Sequence, residues 1–117
     1  MKMKKSENQE KKSNISVEIS LDENHVPDRL EWSAPDGGIN HQPTKAVMLS
    51  FWDETKKEAL RIDLWTKDMP VDDMKIFFHQ VFISMSNSYE NATSDKNTAK
   101  LIREFAETYA KASEIID

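Results

Sequence analysis

The sequence contains no cysteine, only two glycines, and no apolar run near the eighteen or so residues that a membrane-spanning helix requires. The first absence excludes disulfides, thiolate nucleophiles and sulfur-ligated metal. It also gives no support for an oxidising compartment, so the cytoplasm is the expected setting. The scarcity of glycine argues against a phosphate-cradling loop. Both glycines stand together in Pro35-Asp36-Gly37-Gly38, with no Lys-Ser/Thr behind them. That tetrapeptide is a turn signal: proline presets φ, and glycine supplies positive φ where the chain reverses. The N-terminal MKMKKSENQEKKSN offers lysines without an apolar core or a small-residue cleavage site, so a secretory signal is not expected.

A chain of 117 residues has the length of one domain, and 38% hydrophobic with 32% charged residues describes a globular chain rather than a disordered one. The charge is unevenly spread. The first 13 residues carry five lysines and two glutamates, whereas the remaining 104 hold 11 basic and 19 acidic residues. An acidic body is repelled by phosphate backbones and anionic lipid, so neither nucleic-acid binding nor membrane insertion is expected. Residues 1–13 are expected to form a disordered basic arm, because their composition cannot bury apolar surface to offset ordering entropy. Residues 14–117 are expected to form a single α+β domain.

Period-2 alternation marks the strands. Ile15, Val17, Ile19 and Leu21 alternate with Ser16, Glu18 and Ser20; Leu30, Trp32 and Ala34 alternate with Arg29, Glu31 and Ser33. Residues 39–45 are polar and are expected to be a loop. The apolar run Ala46–Trp52 fits a strand, though AVMLS also fits a helical turn, and Leu60–Trp65 fits a returning strand after a hairpin loop at Glu54–Lys57. Beyond Pro70 the period changes. Val71, Met74, Phe78, Val81, Phe82, Met85 and Tyr89 form a long helical stripe, with Ile76 and Ile83 on its other side. Thr93-Ser94-Asp95 breaks it, and Ala99, Ile102, Phe105, Ala106, Tyr109, Ala112 and Ile116 form a second stripe. The expected architecture is a four-stranded antiparallel meander with two amphipathic C-terminal helices packed on one face. Leu49, Phe51, Leu60, Ile62 and Leu64 are expected to share one core with that helical stripe and with Ile15, Val17 and Ile19.

No residue pattern specifies catalysis. His25 and His41 lie beside Pro27 and Pro43 with no carboxylate at a known ligand spacing, and His79 lies on the flank of the long helix. Ser33, Ser50 and Ser84 lack the glycine-flanked elbow of a hydrolase nucleophile. No catalytic, cofactor-binding or metal-binding residue is assigned, and an enzyme is not expected. Asp63, Asp68, Asp72 and Asp73 offer an alternative reading, a small-ligand or cation-binding turn. The stronger feature is a face. Alternation sets Met48 and Trp52 on one strand, with Arg61, Asp63 and Trp65 on the next, opposite the core leucines. Aromatics, Met and Arg are enriched at interaction surfaces, so these five residues are the candidate interaction face.

Three stretches carry a resemblance: LDENHVPDRLEWSAPDGG (Leu21 to Gly38), KAVMLSFWD (Lys45 to Asp53) and ALRIDLWTKDMPVDDMKIFFHQ (Ala59 to Gln80). Through them the chain resembles the gliding motility protein GldC family over roughly Val17 to Thr93. The resemblance implies a small cytoplasmic accessory protein of gliding bacteria, serving the surface motility apparatus linked to type IX secretion. It implies no activity and no cofactor, and it transfers no residue-level role. The expected partners are proteins of the gliding machinery or another copy of the chain itself.

Overall fold

The computed structural model describes residues 10–115. Of the arm expected over 1–13, residues 1–9 lie outside the described residues. Residues 10–13 are exposed and carry no regular element, and the Ser13 hydroxyl donates to the Asp36 carboxylate. The chain divides into two compact units, one ending at Asp68 and the other starting at Met69.

The first unit is built on five strands: β1 Ser16–Leu21, β2 Pro27–Ala34, β3 Ile39–Thr44, β4 Ala46–Asp53 and β5 Glu58–Trp65. They form two antiparallel sheets, β1-β2-β3 and β4-β5. The fold is α+β as expected, but the single four-stranded meander is not formed. The residues expected to be a polar loop at 39–45 supply β3, a strand with no apolar alternation to reveal it. As an edge strand it pairs only with β2, so it tolerates Pro43, whose missing N–H would break a central ladder. Between β2 and β3, Gly38 takes φ 78° after a short 3-10 turn at Pro35–Gly37, where the turn signal placed the reversal.

Central strand β2 carries the one fully buried large apolar side chain described in this unit, Leu30, opposite Ile19 of β1 and Thr44 of β3. The β1–β2 connection is held by Asp22. Its carboxylate accepts from the N–H groups of Asn24 (2.8 Å) and Val26 (3.0 Å) and from Lys67 Nζ (2.9 Å). These donors, the Val26 amide foremost and then Lys67, hold the Asp22 carboxyl below its ordinary 3.8. Asp68 is likewise lowered, by Lys45 first and then Thr66. A depressed carboxyl contributes stability that is complete above about 3.8 and lost as pH falls through the lower folded value. The melting temperature should therefore fall below about pH 4, and Asp22→Asn should flatten that acid limb while losing stability at neutral pH. An unchanged acid limb in the variant, measured by thermal denaturation across the range, would remove Asp22 from this account.

The second unit is an antiparallel helical hairpin of α1 Val71–Thr93 and α2 Lys96–Ala112. Pro70 precedes the first helical residue, and Asp72 and Asp73 occupy the positive end of the helix dipole. The first helix stops where Ser94 turns left-handed (φ 61°); Asp95 then caps the second by accepting from the Thr98 N–H at 3.0 Å. Ser86, Ala99, Ala106 and Ala110 are fully buried, small side chains that let helix backbones approach closely. Phe82 meets the rings of Phe105 and Tyr109 edge-on, both at 5.2 Å. Across the hairpin, Arg103 bridges to Glu90 (2.8 Å) and Asn87 (3.0 Å), while Lys75 Nζ and the Lys75 carbonyl bond Ser113 and Tyr109.

Within the strand unit, the residues expected in the core are unevenly covered: Phe51, Leu60 and Ile62 are 52%, 50% and 49% exposed, and Ile15 is exposed as well. Alternation decides which side chains share a face. It does not decide how much of that face is covered, and a two-stranded sheet has no third strand to add cover.

Candidate functional site

The β4–β5 hairpin is closed by its own side chains. Asp53 accepts from the amides of Thr55 (3.0 Å) and Lys56 (3.2 Å), and Lys57 turns left-handed (φ 57°) while its N–H reaches the Asp53 carbonyl at 2.8 Å. This pins the register: Ala46 opposite Trp65, Met48 opposite Asp63, Ser50 opposite Arg61 and Trp52 opposite Ala59. Met48, Trp52, Arg61, Asp63 and Trp65 therefore lie on one face. Residues 46–52, compatible with either a strand or a helical turn, are strand throughout.

The centre of this face is an ordered ion pair. Arg61 Nη2 donates to Asp63 Oδ1 at 2.7 Å, Nε reaches Asp63 Oδ2 at 3.4 Å, and Nη1 donates to the Ser50 hydroxyl. Strand period 2 makes that geometry available, since residues i and i+2 stand side by side on one face. Trp52 and Trp65 lie on either side of it, 62% and 54% exposed. The Trp52 Nε1–H donates to Glu54 at 3.1 Å, and Glu54 also accepts from Lys57 at 2.6 Å. Lys57 first, then Trp52, lowers the Glu54 carboxyl. Beside Trp65 the surface sinks into an open depression lined by Val26, Pro27, Asp63, Leu64, Trp65 and Lys67. The site is amphipathic: two indoles, a thioether and a guanidinium held flat by its carboxylate.

The acidic turn is less suited to a cation. Asp63 is engaged by Arg61, and Asp68 accepts from Lys45 Nζ and Thr66 Oγ1, both at 2.7 Å. Asp72 and Asp73 are exposed in the first turn of α1. Of the histidines, His25 sits in the β1–β2 turn, and His41 falls in β3 rather than in a loop. His79 stacks on Tyr109 with ring centroids 6.5 Å apart, and its Nε2 is buried without a partner, where a solvent-facing nitrogen is expected from its flank position.

Among the described residues no helix is long and apolar enough to cross a membrane. Comparison with curated proteins finds no match, and comparison with solved structures finds none either. A family model described as "Gliding motility-associated protein GldC-like" matches residues 27–115, a span that takes in β2 to β5 and both helices. The chain belongs to the GldC-like family of gliding motility-associated proteins.

Proposed function

We propose that this protein is a non-enzymatic, cytoplasmic accessory component of bacterial gliding motility that works by holding a protein partner of the gliding machinery, linked to type IX secretion, on its β4–β5 face. One observation carries this reading. Trp52 and Trp65 are exposed on the same face as an Arg61 whose guanidinium is already oriented by Asp63 and Ser50. Binding energy at protein interfaces concentrates in tryptophan, tyrosine and arginine, and an anchor ordered before contact loses less conformational entropy on docking. The family assignment supplies the process, and the face supplies a means.

Replacing Arg61 and Trp65 together by alanine should weaken capture of gliding-machinery proteins at least tenfold and impair gliding. Each anchor contributes about 2 kcal/mol to binding. The melting temperature should change little, because both side chains are exposed and an exposed ion pair adds at most about 1 kcal/mol. A folded double variant with normal capture and normal gliding would exclude this face and leave the Ile76 side of α1, also exposed, as the next surface.

A further inference from the structure

On the opposite side of the three-stranded sheet from Val17, Ile19 and Leu30 lies a polar face with an unusual pairing. Glu18 of β1 stands directly across from Glu31 of β2, a position where two like charges destabilise a sheet. The β2–β3 register slips between Trp32 and Ala34, so that β3 carries one extra residue there. At this bulge His41 takes φ 49°, and its N–H is held by the Ser33 hydroxyl at 2.9 Å. Bulges re-aim side chains. Here the result is that His41 Nδ1 sits 3.6 Å from Glu31 Oε1 and 3.9 Å from Glu18 Oε1.

These separations exceed the 2.7–3.2 Å of an N–H···O hydrogen bond. They are closer to the spacing of co-ligands: donors about 2.05 Å from a tetrahedral zinc ion stand roughly 3.3 Å apart. The three donor atoms all lie within 4.8 Å of one another. Glu18 is exposed and Glu31 only partly buried, so rotation about the glutamate side-chain torsions can close the remaining gap. Arg29, on the same face, makes no ion pair with either carboxylate among the described residues.

We propose that Glu18, Glu31 and His41 bind a divalent transition-metal cation of the zinc class. One imidazole nitrogen and two carboxylates form a donor set that suits zinc, and that magnesium, which keeps its waters and prefers oxygen, does not need. The exposed face leaves the remaining coordination position to water or to a ligand atom from a partner. The cation offsets the repulsion of the facing glutamates and ties three strands together through their side chains.

The test is titration of the full-length protein with zinc chloride by calorimetry in mildly alkaline buffer. One equivalent should bind saturably, and magnesium chloride should not compete. His41→Asn keeps a residue that tolerates positive φ but lacks the imidazole, and it should weaken binding at least tenfold. Glu18→Gln with Glu31→Gln should do the same, and His25→Asn should leave binding unchanged. NMR of the imidazoles should show His41 alone shifting at the first equivalent. Absence of saturable binding, or binding that survives His41→Asn in a folded protein, would overturn the proposal.

Discussion

Leu30→Ala is expected to lower the stability of the strand unit by about 2–5 kcal/mol, the range for removing a buried leucine side chain and leaving its cavity. Leu30 is 1% exposed on a strand that pairs on both sides, so no neighbour can close over the loss without moving a ladder. Leu60→Ala makes the contrast. It removes the same atoms from a side chain that is half exposed on a two-stranded sheet, and should cost about 1 kcal/mol. All three tryptophans, Trp32, Trp52 and Trp65, lie in the strand unit, so denaturant titration followed by tryptophan fluorescence reports on it directly. Equal losses for the two variants would show that the apolar face of the hairpin is covered in solution as fully as Leu30 is.

That contrast marks the limit of what alternation reveals. The pattern of β4 and β5 was enough to place Met48, Trp52, Arg61, Asp63 and Trp65 together, because a period of two leaves each residue only two faces to choose from. It was also enough for the helices, whose stop at Ser94 and cap at Asp95 follow from residue chemistry. Strand β3 was not legible: Ile-Asn-His-Gln-Pro-Thr has no alternation and carries strand formers only at its two ends, and it is ordered by the ladder it shares with β2. The Glu18–Glu31–His41 group was hidden for the same reason. Its members are far apart in the chain, and only the register of three strands and one bulge brings them within reach of a common ion. No local spacing motif encodes such a juxtaposition.

In the helical unit the largest effect is expected from Phe82→Ala, a loss of about 3–5 kcal/mol. The Phe82 ring is the hub of the hairpin's aromatic cluster, edge-on to Phe105 and Tyr109 at 5.2 Å and to Phe78 at 6.3 Å. Such pairs contribute about 0.5–1.5 kcal/mol each beyond the area they bury, and truncation removes three of them together. Helix α1 then keeps the His79–Tyr109 stack as its aromatic tie to α2, beside the Ser86–Ala99–Ala106–Ala110 seam and the polar bridges from Arg103 and Lys75. Phe78 lies on the same helix one turn earlier, but it is 38% exposed and pairs with Phe82 alone among these rings. Phe78→Ala should therefore cost only about 1–2 kcal/mol. Thermal and denaturant melts followed by helical circular dichroism measure both. If Phe78→Ala proved the more damaging, the stripe through Phe78 and Met85, and not the aromatic hub, would be the surface on which the helical unit depends.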